Sequence, residues 1–212
     1  MTKLQLFLKR LFDIFLSITG IVLFGWLILI CWILSTLDTK QNGFFLQERV
    51  GREGKIFRII KIRTMRPIKG FASVVTARND PRITRIGALM RRLKLDELPQ
   101  LFNILSGQMS FVGPRPDVVG FANQLQGDDR IILSVRPGIT GPATLFFRNE
   151  EDLLAGCDDP VRYNSEVIYT TKVKLNRMYL ENYSFFKDVL YIIVTAIPEI
   201  RNWLLPELKS PP

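Results

Sequence analysis

Between Ile14 and Leu37 the chain carries no charged residue, and IFLSITGIVLFGWLILICWIL is apolar on every side of a helix. A membrane helix needs about 20 apolar residues, and a soluble helix is seldom apolar all round. The run therefore predicts a membrane segment rather than a core helix. It is too long for a secretory signal, and no small-residue cleavage site follows it. Lys3, Lys9 and Arg10 precede it, while Lys40, Arg49, Arg52, Lys55, Arg58 and Lys61 follow. The positive-inside rule keeps both basic flanks in the cytoplasm. The segment then has to turn back within one leaflet, with Ser17, Thr19 and Gly20, or Gly25, permitting the break. The alternative is one straight span with Lys3 to Arg10 outside. Residues 1–40 are expected to form the re-entrant membrane anchor, and 41–212 the cytoplasmic domain.

Downstream the period changes. FFLQERV (44–50) and KIFRIIKIRTM (55–65) read as strands joined by GREG (51–54), a hairpin. Alternation along the second strand puts Lys61 and Arg63 on the face of Phe57 and Ile59. Two neighbouring cations repel, so the pair suits an intervening anion; a wet edge strand guarded by charge is the plainer reading. Residues 67–80 read as loop. Thr84 caps a helix through about Leu93 with Ile86, Leu89, Met90 and Leu93 on its apolar face. In LDELPQLFNILSG, Asp96 is a suitable N-cap, Pro99 fits a first turn, Leu98, Leu101, Phe102 and Leu105 recur at helical spacing, and Gly107 ends the helix. Segments 117–126 and 161–181 look helical. SFFKDVLYIIVTAIPEIRNWLL (184–205) predicts a helix on a membrane surface, anchored by Phe185, Phe186 and Trp203, or else a core helix. The class is α+β: mostly helical, with a small β-hairpin or sheet and membrane-surface amphipathic helices.

The 212 residues include no histidine, which excludes Ser-His-Asp and Cys-His nucleophiles and His-ligated zinc. Cys31 and Cys157 are too few for a disulfide framework. From Lys40 to Arg115 there are 16 basic and 5 acidic residues, so this third carries the whole excess of the +9 formal charge. Such density suits a polyanion: a nucleotide diphosphate, anionic lipid or nucleic acid. Residues 51–94 hold only Phe57 and Phe71 as aromatics, a poor base-stacking platform, so no nucleic-acid partner is expected. Asp96 and Glu97 stand at a helix start within this basic third. A carboxylate is ionised at neutral pH and can attack phosphorus without a general base. If the acceptor is itself a phosphate, no histidine is needed at all. Lys61, Arg63, Arg91, Arg115 and Arg136 are the candidate phosphate clamps, and Glu97 is the candidate Mg²⁺ ligand.

KRLFDIFLS, QERVGREGKIFRIIKIRTM, DPRITRIG, LDELPQLFNILSGQMSFVGPRP, VRPGITGPA and ENYSFFKD follow one another along the chain. In that order they resemble the bacterial sugar transferase family of small monotopic phosphoglycosyl transferases. The resemblance implies transfer of a sugar 1-phosphate from a UDP-sugar to undecaprenyl phosphate at the bacterial inner membrane, with the catalytic domain cytoplasmic, as the first membrane step of polysaccharide or glycan assembly. It implies Asp96 as the nucleophile carrying the phosphosugar, Glu97 as the Mg²⁺ ligand, and Arg91 and Arg115 as phosphate or nucleotide contacts. Lys61, Arg63 and Arg136 match basic motif positions, and Gln47 and Arg49 match a QER element. It also implies an inner-leaflet re-entrant helix pair. Two departures stand out. Gly25-Trp26 replaces the family's Ser-Pro at the membrane break, and GPATLFFRNEEDLLAGCDDP lacks the tryptophan and GRN element after the ITG turn. The reading that competes is a non-catalytic membrane-anchored module binding anionic lipid or nucleic acid. The sugar, the glycan pathway and dimerisation are left open.

Overall fold

The computed structural model describes residues 1–68, 80–120, 122–200 and 204–205. The first element is helix α1, Lys3–Thr39, opened by a capping box between Thr2 and Gln5 and closed by Lys40 in the left-handed region. At about 1.5 Å per residue it is about 55 Å long. The expected turn back is not seen: helical geometry runs unbroken through Gly25, because the proline that would break it is absent.

The buried face of α1 is polar. Lys9, Asp13, Ser17, Ser35 and Thr39 are buried along it with Ile28 and Cys31, whereas Leu4, Phe7, Phe15, Val22, Trp26, Leu29 and Leu37 are exposed. Each buried polar group has a partner. Lys9 pairs with Asp188. The Asp13 carboxylate accepts from the Ser110 hydroxyl at 3.1 Å and the Phe111 N–H at 3.0 Å. Ser17 donates to the Ile14 carbonyl at 3.0 Å, and Ser35 to the Arg63 carbonyl at 2.6 Å. Arg10 donates to the Ile104 and Leu105 carbonyls at 2.6 and 2.9 Å. The helix is thus inverted relative to a soluble one, its hydrogen bonds directed to the protein and its apolar surface directed away.

The hairpin follows: β1 (Phe44–Val50) pairs antiparallel with β2 (Ile56–Ile62), joined by a tight turn with Glu53 and Gly54 at positive φ. The expected loop falls largely on residues 69–79, outside the described residues. Helix α2 (Arg85–Arg92) is capped by Thr84, whose hydroxyl accepts the Gly87 N–H. Gly87 lies so close to β2's continuation that an added Cβ would stand 2.1 Å from the Thr64 carbonyl oxygen. Helix α3 (Gln100–Leu105) starts from Pro99, not from Asp96. Asp96 lies one turn earlier, in a 3₁₀ turn Leu95–Glu97, and caps nothing. The apolar faces expected of α2 and α3 are split: Met90 and Leu101 are buried as expected, but much of each face points outward. Ile86, Leu89, Leu93, Phe102 and Leu105 are exposed, while Gln100 and Asn103 are buried with Leu101 and Ile104. Asn103 bonds the free edge of β2, accepting the Ile60 N–H at 2.9 Å and donating to the Arg58 carbonyl at 2.8 Å.

Two three-residue strands, β3 (Ser110–Val112) and β4 (Gly138–Thr140), pair in parallel. The expected helix at 117–126 reduces to one 3₁₀ turn at Ala122–Gln124. Short helices α4 (Pro142–Phe146), α5 (Glu150–Ala155) and α6 (Pro160–Tyr163) lead through a π-helical turn, Asn164–Tyr169, into α7 (Thr170–Glu181) and then α8 (Phe185–Ala196). The main core joins Val50, Val112, Leu133, Val135, Leu145, Val173, Tyr179, Tyr191 and Val194. A smaller cluster, Phe57, Ile59, Ile104 and Met109, seats the hairpin on α3. α8 buries Tyr191 and Val194 but exposes Phe186, Ile193 and Ile197; Trp203 lies outside the described residues. The class is α+β, mostly helical with two small sheets.

Candidate active site

The hairpin register decides which cations face the helical turn. Phe45 stands opposite Lys61, Gln47 opposite Ile59 and Arg49 opposite Phe57. Alternation puts all six on one face, the face that buries Phe57 and Ile59. From it Lys61 reaches the Glu97 Oε1 at 3.2 Å. Arg115 meets the same oxygen at 2.7 Å. It comes from the loop after β3, which is fixed by Gly113 N–H to the Thr140 carbonyl at 2.9 Å and Gly138 N–H to the Pro114 carbonyl at 2.8 Å. The turn carrying Glu97 is set by Lys94, which adopts the left-handed region with φ 57° immediately before it. Strained backbone of this kind tends to be kept where it aims functional groups.

Asp96 and Glu97 are adjacent but in opposite electrostatic states. Burial works against the Glu97 charge, yet Arg115, Lys61 and Lys94 outweigh it and hold its carboxyl well below the usual range. Asp96 is pushed up, first by burial and then by the Glu97 charge, with Lys61, Lys94 and Arg91 acting the other way. Its Oδ1 is buried and has no hydrogen-bond partner among the described residues. A neighbouring pair whose titrations are driven apart has two different roles available to it: Glu97 organises cations, and Asp96 presents a bare, desolvated oxygen. Lys61 is itself driven down by burial, relieved by Glu97, and Arg115 is raised by the Glu97 charge.

The candidates divide. Asp96, Glu97, Lys61 and Arg115 come together, and Arg91 acts on Asp96 through space. Arg63 does not join them. It stays on the Lys61 face, over the Phe45 ring, but its guanidinium donates to the Asn42 and Phe44 carbonyls at 2.8 and 3.3 Å rather than to Glu97. Arg136 lies elsewhere, donating to the Gly107 carbonyl at 2.8 Å beside Arg10 and Arg52. Three further groups border the site. Lys94 gives no sequence signal beyond its charge. Arg49 belongs to the QER element. Asp117, directly after the PRP motif, is pushed up to about 6 by burial, with Lys172, Arg49 and Arg115 opposing.

Among the described residues no three carboxylate or thiol ligands gather. Mg²⁺ nevertheless commonly binds through one or two carboxylates plus substrate phosphates. Glu97 fits that mode: Lys61 and Arg115 both take Oε1, and Oε2 accepts no hydrogen bond among the described residues.

The profile of the bacterial sugar transferases matches residues 4–202, nearly the whole chain, including every element just described. The chain belongs to the bacterial sugar transferase family. This transferase is an enzyme of the phosphoglycosyl transferase class, so the reading as a non-catalytic binding module gives way. It is 34% identical over 209 residues to the exopolysaccharide production protein PSS of Rhizobium leguminosarum bv. phaseoli, covering 94% of this chain and 98% of that protein. It is 32% identical over 209 residues to the exopolysaccharide production protein ExoY of Rhizobium meliloti (strain 1021), covering 91% and 84%. The undecaprenyl-phosphate galactose phosphotransferase of Salmonella typhimurium is 33% identical over 212 residues, covering 92% of the transferase but only 41% of that longer protein.

Proposed function

We propose that the transferase moves a sugar 1-phosphate from a UDP-sugar to undecaprenyl phosphate in exopolysaccharide or related glycan assembly, with Asp96 as the covalent nucleophile. The observation that carries this is the unpartnered, buried Asp96 oxygen beside a carboxylate clamped by Lys61 and Arg115. An Asp96 oxygen forms a bond to the sugar-bearing phosphorus, the bond to the bridging oxygen breaks, and UMP leaves. An oxygen of undecaprenyl phosphate then forms a new bond to that phosphorus. The bond to Asp96 breaks, its carboxylate is restored, and undecaprenyl-diphosphate-sugar is released. A carboxylate attacks phosphorus without a general base, and Lys61, Lys94 and Arg91 favour the ionised form of Asp96 against its burial. Lys61, Arg115 and Arg91 oppose the charge that develops on the phosphoryl oxygens. Glu97, through Oε2, would hold Mg²⁺, which when bound neutralises phosphate charge.

The fit to the membrane follows from the inverted helix. The same body touches α1 from Lys9, through Asp188, to Asp38, which pairs with Arg66 at 2.7 Å. Those two residues lie about 44 Å apart along the helix, more than the roughly 30 Å of a hydrocarbon core. A domain on one side of a bilayer cannot reach both ends of a perpendicular span. In this reading α1 stays on the inner-leaflet side, its exposed face and those of α2, α3 and α8 meet lipid, and both basic flanks are cytoplasmic. The polyprenol acceptor then approaches in the plane of the membrane.

Full-length protein, a panel of UDP-sugars, Mg²⁺ and undecaprenyl phosphate test the chemistry. UMP release and a phosphosugar adduct on the Asp96 peptide are expected, both lost in Asp96→Asn with the fold intact. Adduct formation in that variant would reject the nucleophile. A cysteine near Lys3, labelled by an impermeant reagent in intact cells, tests the topology, and labelling from outside would reject it.

A further inference from the structure

Arg49 is more than a brace for the hairpin. Its side chain is fixed at two points: Nη1 donates to the Pro116 carbonyl at 3.1 Å, and Nη2 to the Gln47 carboxamide at 2.6 Å. Its Nε is buried and has no partner among the described residues. No carboxylate forms an ion pair with it there; Glu97 and Asp117 act on it only through space, and Arg115 repels it. Arg49 and Arg115 in turn both repel Lys61. Three cations therefore converge, and the only ion-paired carboxylate among them, Glu97, bonds two. Bonding the Pro116 carbonyl requires a donor but not a charge, and a guanidinium whose Nε is buried without a partner among the described residues is costly. Such an arrangement becomes favourable once an anion arrives between the cations. Gln47 and Pro116 hold the fork in one orientation beforehand, which reduces the ordering cost of binding.

We infer that Arg49 is a third phosphate-binding cation of the active site, completing with Lys61 and Arg115 a cradle for a substrate phosphate. This rests on the proposed transfer reaction. The phosphate could come from the nucleotide-sugar or from the lipid acceptor, and the test separates the two.

The variants are Arg49→Met, which keeps the length of the side chain and removes the charge, and Arg49→Lys, which keeps the charge and loses the fork. Loss of a charge-assisted hydrogen bond weakens binding about 10- to 100-fold. In Arg49→Met, KM is expected to rise by that factor for the UDP-sugar if the donor phosphate is held, or for undecaprenyl phosphate if the acceptor is held. Arg49→Lys should recover part of the loss. The melting temperature of Arg49→Met should stay close to that of the wild type, because a half-buried guanidinium without an ion pair among the described residues goes together with its two hydrogen bonds. If the donor is held, UDP should raise the wild-type melting temperature and leave the variant's unchanged. Unchanged KM values for both substrates, with or without a fall in melting temperature, would overturn the inference and leave Arg49 a brace. If Arg49→Met does not fold, Arg49→Lys decides by the same two KM values. A wild type that releases no UMP from any UDP-sugar would overturn the parent reading instead.

Discussion

Replacing Asp188 by alanine should loosen the Lys9 end of the N-terminal helix from the body it packs on. Asp188 is almost fully buried and satisfies three donors at once: Lys9 from α1, the Tyr179 hydroxyl at 2.7 Å and the Tyr183 hydroxyl at 3.3 Å. Alanine leaves the Lys9 ammonium buried and unpaired, which costs about 3–5 kcal/mol when one member of such a pair is removed. The stranded Tyr179 hydroxyl adds about 1–3 kcal/mol. The groups share one network, so the sum is less than additive, and about 4–6 kcal/mol is the expected loss. Lys9→Met should cost less, because Asp188, already pushed up by burial, can then take a proton and keep its tyrosines. The double variant Lys9→Met/Asp188→Leu should return to within about 2 kcal/mol of the wild type, since an apolar pair needs no compensation. Guanidinium titrations of the full chain in mild detergent, followed by tryptophan fluorescence, compare the wild type with these three variants. A loss below about 1 kcal/mol in Asp188→Ala, or a double variant no better than that single one, would refute the reasoning.

Two further outcomes are expected. Asp117 has its folded pKa raised to about 6, so its contribution to stability is full below the ordinary aspartate range and is lost as pH rises through about 6. Asp117→Asn should therefore gain more melting temperature over the wild type at pH 8 than at pH 4, and an equal difference at both would contradict the shift. Asn103→Ala strands the Ile60 N–H and the Arg58 carbonyl on the β2 edge. It should lose about 3 kcal/mol in the same denaturation assay, and a loss under about 1 would show that the amide is dispensable.

The sequence was read best where local chemistry decides alone. The FFLQERV strand, the GREG turn and the Thr84 cap stand where propensity and turn residues put them. It was read worst where the surroundings decide. Phe102 and Leu105 carry a helical apolar period, but with lipid proposed outside, that period marks the outward face, and Gln100 and Asn103 occupy the inside. Asp96 has the composition of an N-cap, yet the left-handed Lys94 turns the chain early and Pro99 starts the helix instead. β3 and β4 are three residues each and pair across more than twenty intervening residues, too little pattern for any periodicity to reveal. Of the site, Asp96, Glu97, Lys61 and Arg115 were legible as charges in motifs. Arg63 keeps the face that alternation gives it, over the Phe45 ring, but directs its donors to the Asn42 and Phe44 carbonyls, which no sequence pattern announces. Arg49 stood in the QER element without an assigned role, because its Nε, lacking a partner among the described residues, is visible only in three dimensions.

The polar seam of α1 sets opposite demands on one stretch of chain. Leucine at Lys9, Asp13 and Ser35 would make the segment more oil-soluble while stripping away the groups by which the enzyme grips it. A foreign transmembrane peptide grafted in its place would bring the domain to the bilayer and leave the Asp188 and Ser110 side chains without their counterparts. The N-terminal helix and the body that carries the site are in that sense one folding unit, and they can be exchanged between relatives only as a matched set.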